Sequence, residues 1–312
     1  MIAVVPVDHI VSYAQNREDV VLWRALADVT PGRYVEIGAN HPTTYSATKA
    51  FYEHGWSGIT VEPIEEYVLL HRAERPRDTQ VRAAVVAEPV DEVTLYQIDS
   101  TGLSTTRQEH SSVHQTHGWT PHAETVPGRT LDQVLDEQAW RDHPTHFMVV
   151  DVAGAEAEVL AGVDLRAWRP WVVVVESTAP LSTTPTHGEW EALLLDAGYV
   201  FRLFDGVSRF YVAAEHDERI GAALSYPACA LDPFVDDRLR TVQMDRDQTL
   251  EDLRRWRAEA LQHWAPVGES GGGPSDDQAL ALARAEIAAL RSSTSWRVTR
   301  PLRAVSARLG RR

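Results

Sequence analysis

The sequence predicts an α/β fold built on a mostly parallel sheet, followed by a helical tail. Three observations predict it. Phe147-Met148-Val149-Val150 and Val172-Val173-Val174-Val175 are apolar without alternation, as strands covered on both faces are. Residues 34–62 run strand, glycine turn, helix, strand, and end in a carboxylate. Near the end of the main region, 199–204 and 209–213 flank Asp205-Gly206, a strong hairpin signal.

The 312 residues, 44% hydrophobic and 24% charged, suffice for one good-sized core with appendages. A formal net charge of −15 argues against a dedicated nucleic-acid binder, which needs a basic surface to displace counterions. The charge is uneven: 276–312 hold eight arginines against three acids, a local +5, so the remainder carries −20. Cys229 is the only cysteine, which leaves no internal disulfide framework or cysteine metal cluster and suits a reducing cytoplasm. The first nine residues lack a basic n-region, and no run is long enough to span a bilayer. Lys49 is the only lysine beside many arginines, the bias of a GC-rich bacterial genome.

In chain order, 20–26 has helical periodicity, and Glu18-Asp19 ahead of it suit the first turn of a helix dipole. Strand 34–37 runs into Gly38, where a missing Cβ lets the backbone approach a ligand. Ser46 is the expected N-cap of a helix over 47–54, and Gly55 the left-handed residue that ends it. The next strand, Gly58-Ile59-Thr60-Val61-Glu62, closes on an acid 24 residues past the turn glycine. This is the layout of a nucleoside-binding unit, in which the acid accepts hydrogen bonds from ribose hydroxyls. A lone glycine offers no pyrophosphate seat. Glu36, two residues before Gly38, is positioned to hold the ammonium of the methionine part of S-adenosyl-L-methionine.

A helix over 63–72 and strands over 79–86 and 92–98 follow. Residues 100–127, rich in Ser, Thr and His with little periodicity, predict a mobile lid over an acceptor site. His110, His114, His117 and His122 lie there, but no pair has a helical partner with an acid between, so zinc is not expected. Then come a helix over 130–138, a strand over 145–151, a helix over 154–161, a strand over 171–176 and a helix over 190–197. Ligands bind outside the carboxyl ends of parallel strands, which brings Glu62, Asp151 and Glu176 to one rim with Gly38. A terminal antiparallel hairpin closes class I methyltransferase sheets and is lacking in Rossmann dehydrogenases.

Together these motifs resemble the FkbM family of S-adenosylmethionine-dependent O-methyltransferases. The resembling segments include Ser12-Tyr13-Ala14-Gln15, Tyr34 with Gly38-Ala39-Asn40-His41-Pro42, Val61-Glu62-Pro63, Gly102-Leu103-Ser104-Thr105, Val159-Leu160-Ala161-Gly162, Val174-Val175-Glu176 and Arg209-Phe210-Tyr211-Val212. The resemblance implies a class I methyltransferase (Rossmann-like) sheet with a terminal antiparallel β-hairpin, plus a C-terminal helical tail. It implies methyl transfer to a hydroxyl, commonly of a sugar or natural-product scaffold. It implies cofactor contacts from Gln15, Glu36, Gly38, Ala39, Asn40, Glu62, Pro63 and Asp151. Asp151 is then the base or metal-orienting acid, and Glu176 and His187 the acceptor contacts. The acids are compatible with magnesium, but no metal site is predicted. The family usually carries Val-Glu-Gly-Ala-Glu after the aspartate, whereas here Ala153 replaces the first glutamate, and Pro227-Ala228-Cys229 replaces a Pro-Pro-Asn turn expected at the pocket edge.

The chain divides into a domain over 1–235, a helical extension over 236–265, a Gly/Ser/Pro linker over 266–275 and a basic helical tail over 276–312. In the tail Leu280, Ala283, Ile287 and Leu290 form a short a/d seam, and 292–303 is arginine-rich with Trp296. The tail resembles those on bacterial glycan-assembly enzymes. It supports self-association or peripheral contact with the inner membrane face, against a solvated tail that does neither. The leading expectation is a cytoplasmic O-methyltransferase acting on a sugar hydroxyl of a glycan or glycosylated natural product. Its rival is a non-catalytic methyltransferase-like module that organises glycan enzymes through its tail.

Overall fold

A computed structural model describes residues 9–99, 101–264 and 276–292 of the chain. The elements run β1 (Ile10–Ser12), α1 (Glu18–Leu26), β2 (Arg33–Ile37), α2 (Lys49–Glu53), β3 (Ser57–Val61), α3 (Glu65–Glu74), β4 (Thr79–Val81), β5 (Ala84–Val85) and β6 (Glu92–Gln97). They continue α4 (Gln108–Thr116), β7 (His122–Arg129), α5 (Leu131–Glu137), β8 (Phe147–Val150), α6 (Glu156–Ala161), α7 (Leu165–Trp168), β9 (Val172–Glu176), α8 (Glu191–Asp196), β10 (Tyr199–Phe204) and β11 (Ser208–Ala213). After α9 (Asp217–Ile220) and β12 (Phe234–Asp236), α10 (Asp237–Trp264) and α11 (Asp276–Ser292) complete them.

Seven strands form the main sheet in the order β10-β11-β9-β8-β2-β3-β4. All neighbours from β9 to β4 are parallel, and β11 is antiparallel to both β9 and β10. Successive strand residues face opposite sides, so continuously apolar strands serve two cores. Val35, Ile37, Val173 and Val175 pack on one face with Val134 and Leu160. Tyr34, Phe147, Val149 and Val174 pack on the other with Leu22 and Phe51. Strand order reverses between β2 and β8, the place where a crevice opens outside the carboxyl ends.

Four sequence expectations need correction. The strand over 79–86 is two strands: β4 stays in the main sheet, while β5 turns away into a second sheet of order β5-β7-β6. Residues 101–127 are not one long lid, because they hold α4 and most of β7. Neither has an apolar face to read: α4 buries only Ser111 and His114, and β7 buries only Val126 and Gly128. Helix α2 starts at Lys49 rather than 47; Ser46 Oγ still accepts from Lys49 N at 3.2 Å, but Thr48 holds the N-cap position. The acids opening α1 are not a solvated dipole complement either. Asp19 is fully buried and accepts from Ser12 Oγ (2.7 Å), Tyr13 N (2.7 Å) and Ala14 N (3.2 Å), tying β1 to α1.

Behind β2 lies a buried polar network centred on Arg75, whose side chain has no solvent exposure. Its guanidinium donates to Asp78 Oδ2 (2.8 Å), Thr48 Oγ1 (2.7 Å) and Tyr34 OH (2.9 Å). Asp78 accepts in turn from Tyr34 OH and Gly58 N, each at 2.8 Å. An interior cation is tolerable only when its donors are satisfied in this way.

The chain forms two compact units, Met1–Met244 and Asp245–Arg312, so the first turns of α10 belong to the first unit. In the second unit α11 covers the predicted a/d seam, with Leu280 and Ile287 exposed. The linker and the arginine-rich segment beyond 292 lie outside the described residues. Among the described residues no helix is long and apolar enough to cross a membrane.

Replacing Arg75 by Met leaves Asp78 and Glu36 without their buried cation. Urea unfolding should register a loss of roughly 3–5 kcal/mol, and a loss within about 0.5 kcal/mol would show that the network does not hold the sheet.

Candidate active site

At the carboxyl ends of β2, β3, β8 and β9 lies a cleft with two lobes that share Gly38, Asn40, Gly102, Asp151 and Ala153. The first lobe is mainly apolar, about 590 Å³, walled by Ile64, Ala83, Ala84 and Leu95 with Glu62 and Pro63 at one side. The second is polar, about 1140 Å³, and brings together Gln15, Glu36, Ala39, Asp151, Glu176 and Thr178. Among the described residues no Lys, Arg or His lines either lobe.

Gly38 has φ +78°, and a Cβ there would sit 1.8 Å from the Asp151 carbonyl oxygen. The glycine is therefore required by close approach of the chain's own backbone, rather than by a ligand as expected from sequence. The N–H groups of Gly38 and Ala39 donate to Val61 O at 3.0 and 3.2 Å, so they are spent within the fold. Asn40 N donates to Glu62 Oε2 and Ile64 N to Glu62 Oε1, both at 2.8 Å. Each carboxylate oxygen keeps a further lone pair for another donor. Burial pushes the Glu62 carboxyl up to about 7 despite those two N–H groups. His71 Nε2 lies 3.0 Å from the Asn40 carbonyl, which can only accept, so that nitrogen carries the proton. Burial and Arg75 push His71 down to about 3 and keep it neutral.

Glu36 lines the polar lobe but already has partners: Thr48 Oγ1 donates to its Oε2 at 2.6 Å, and Arg75 Nη1 lies 3.9 Å away. Burial raises it to about 7, against the pull of Arg75. It is thus a shared carboxylate rather than a free one.

Asp151 and Glu176 meet at the floor of the polar lobe. Water reaches Asp151 through the cleft, yet protein crowds it closely enough that desolvation raises its carboxyl. A hydrogen bond between the two acids works in opposite senses, holding Asp151 down and driving Glu176 up. Desolvation raises both carboxyls and the charge on Asp151 raises Glu176 further, so the two titrate as a coupled pair. Glu156 and Glu18 add to the repulsion on Glu176. Glu156 Oε1 accepts from Gly154 N at 2.9 Å and the group is raised to about 7; Glu18 is raised to about 8 by burial and by Asp205.

His187 is not brought to this cluster. It sits on a short turn with Nε2 4.0 Å from Glu191 Oε2 and lines neither lobe. Pro227-Ala228-Cys229 likewise lines neither lobe. Sequence reasoning missed the acids behind Glu176 and the wall formed by 178–182 after β9. Glu18 could have been suspected, since a helix start that also carries Asp19 needs only one acid for its dipole. Ala153, where the related glutamate is missing, has φ +49°; its carbonyl accepts from Thr105 Oγ1 at 2.9 Å and lies 3.1 Å from His110 Nδ1.

A family model described as the methyltransferase FkbM domain matches residues 36–201. The chain belongs to the FkbM methyltransferase family. Among solved structures this FkbM protein is similar to a TehB-like SAM-dependent methyltransferase from Corynebacterium glutamicum, at 8% identity and TM-score 0.34 over 63% of this chain and 87% of that one. It is similar to the CurJ carbon methyltransferase at 11% identity and TM-score 0.36, over 65% of this chain and 56% of that one. It is also similar to an O-methyltransferase from Bacillus cereus in complex with SAH, at 14% identity and TM-score 0.33, over 66% of this chain and 84% of that one. No curated protein matches the chain. The donor expected for an FkbM methyltransferase, S-adenosyl-L-methionine, fits the residues present. Its adenine suits the apolar lobe, its ribose hydroxyls suit the spare lone pairs of Glu62, and its sulfonium and ammonium suit a lining whose only charges are negative.

These carboxylates fix a pH dependence. A carboxyl raised on folding stabilises the protein fully below its unfolded value, near 4.5, and that contribution is lost as pH rises through the folded value. For Glu36, Glu62 and Glu156 the folded value is about 7, and for Glu18 about 8. His71, lowered to about 3, acts in the opposite sense but only below about 6.5. The ligand-free protein should therefore melt at a higher temperature at pH 6.5 than at pH 8, and a melting point that rises across that interval would contradict the assignment of buried acids.

Proposed function

We propose that this FkbM methyltransferase methylates a hydroxyl of a sugar within a glycan or glycosylated natural product. The carrying observation is the Asp151–Glu176 pair of buried carboxyls, with Asp151 lining both lobes where they join and Glu176 lining the polar one. When bound, S-adenosyl-L-methionine supplies an electrophilic methyl group on sulfur. Glu62 orients the ribose, and the apolar wall from Ile64 to Leu95 holds the base. Glu36 and Gln15 face the methionine part. Asp151 would accept the acceptor's hydroxyl proton as the oxygen–carbon bond forms and the methyl–sulfur bond breaks, with the neutral thioether leaving, while Glu176 beside it would fix its orientation. Alignment in such a site is worth roughly 7–11 kcal/mol. A general base adds about 10²- to 10⁴-fold, or ~3–5 kcal/mol. Alignment therefore outweighs the base, and the loss of an acid at Ala153 is compatible with turnover.

Oxygen as the target is supported by the raised Asp151 carboxyl within a lobe that also presents neutral hydrogen-bonding groups such as Gln15, Asn40 and Thr178. The rival reading, a module without turnover, is motivated by Ala153 and the linker, and absence of donor binding by calorimetry would favour it.

Asp151→Asn should lower kcat by about 10²- to 10⁴-fold while leaving donor affinity near wild type. Unchanged turnover would remove Asp151 from the chemistry. Glu62→Ala should instead weaken donor binding by roughly 10- to 100-fold, the worth of hydrogen bonds to a charged group. Wild-type affinity in that variant would undo the ribose assignment.

A further inference from the structure

Tyr45 stands at the mouth of the polar lobe beside Gln15, Thr44 and the wall over 178–182. Two features set it apart. It is 54% exposed although aromatic, and it holds φ +63°, a left-handed conformation that residues with a Cβ rarely adopt. Its backbone is pinned by a bridge to Ala14, next to Gln15. Its side chain is engaged by Arg238 in the first turn of α10, whose guanidinium carbon lies 5.7 Å from the ring centroid. Arg238 is itself held by Asp236 at 3.1 Å, at the end of the β12 strand that pairs with β1. A strained, exposed aromatic fixed from two sides is prepared for a ligand rather than for packing.

Past Tyr45 the lobe offers Glu36, Asp151 and Glu176, and among the described residues no side-chain cation lines it. A phosphate or carboxylate on the acceptor meets like charge there with no side-chain cation of the lining to pair it, whereas the donor's own carboxylate arrives beside its ammonium. A sugar ring without charge meets acceptors for its hydroxyls, and an aromatic face suits its C–H face.

We propose that the polar lobe selects an uncharged sugar ring and that Tyr45, held by Arg238, is the residue that positions that ring. This rests on the reading of the chain as a sugar O-methyltransferase. It makes the root of α10 part of the acceptor site, since β12 and Arg238 fix the residue on which the acceptor rests.

The test uses the full chain, S-adenosyl-L-methionine and two matched probes, p-nitrophenyl glucoside and p-nitrophenyl glucuronide, with methyl transfer followed by mass spectrometry. Wild type should prefer the glucoside by roughly 10-fold or more in kcat/KM, the scale of one unscreened like-charge contact. Tyr45→Ala should raise the glucoside KM by about 3- to 10-fold, the worth of an aromatic contact, with kcat and calorimetric donor affinity unchanged; Tyr45→Phe should restore KM. Unchanged KM in Tyr45→Ala, or equal use of the glucuronide, overturns this inference while leaving sugar methylation standing. A fall in donor affinity in Tyr45→Ala overturns it too, by making the residue part of the donor site. Wild type that binds the donor but methylates neither glycoside overturns the sugar reading, and this inference with it.

Discussion

The cleft depends on one close approach, that of the Gly38 Cα to the Asp151 carbonyl. Any side chain on Gly38 would occupy the oxygen's place, 1.8 Å from where a Cβ would sit. Because none is there, Asp151 N can donate to Ile37 O at 3.1 Å, and the exits of β2 and β8 stay joined for a residue beyond the strands. On the other side Gly38 and Ala39 donate to Val61 O, which draws in the exit of β3. Three strand tips are thus tied together by backbone before any side chain contributes. Glu62 and Asp151 are the next residues on two of those tips, so their separation across the cleft is set by main-chain hydrogen bonds rather than by rotamer choice. Such a frame costs little reorganisation when a ligand arrives.

The same frame concentrates negative charge. Glu18, Glu36, Glu62, Glu156 and Glu176 are all raised chiefly by desolvation, and Asp151 stands among them. Among the described residues only Glu36 of these has an ion-pair partner, Arg75, which reaches it at 3.9 Å from behind β2. Holding uncompensated acids in a crevice costs folding free energy that hydrophobic packing must offset. A ligand with two positive centres relieves it on binding, which couples donor affinity to the ionisation of the cluster. His71 fits this scheme as the neutral member: its fixed tautomer steadies the Asn40 carbonyl without bringing another charge to the rim.

The readable parts of the sequence were those whose burial was one-sided or complete. Runs such as 172–175 have two apolar environments and leave no doubt about a parallel sheet, and the Asp205-Gly206 turn fixed the terminal hairpin. Helix α4 and strand β7 were illegible because what they bury is Ser111, His114, Val126 and Gly128, which gives neither a 3.6-residue nor a two-residue apolar rhythm. Within the site, residues at strand tips were found because topology alone carries them to one rim. Glu18 was taken for a dipole partner because its true neighbour, Asp205, lies 187 positions away in the chain. His187 shows the converse. It shares a motif with the rim residues, but the turn that carries it directs it toward Glu191.

Ala153 brings these constraints together. Its φ of +49° is strained for any residue with a Cβ, yet the strain is held by what its carbonyl does: Thr105 and His110 both bond to it, fixing the segment that walls the apolar lobe. Gly154, with φ +100°, has His110 packed where its Cβ would be, so the turn after β8 is locked from both sides. A glutamate at 153 would bring one more carboxylate to a position that lines both lobes, beside Asp151 and Glu176. In this chain that charge is absent while the turn geometry is kept. The remaining pair then places Glu176 beside Asp151 with no third carboxylate at position 153, which leaves Asp151 as the one base directed at the join of the lobes.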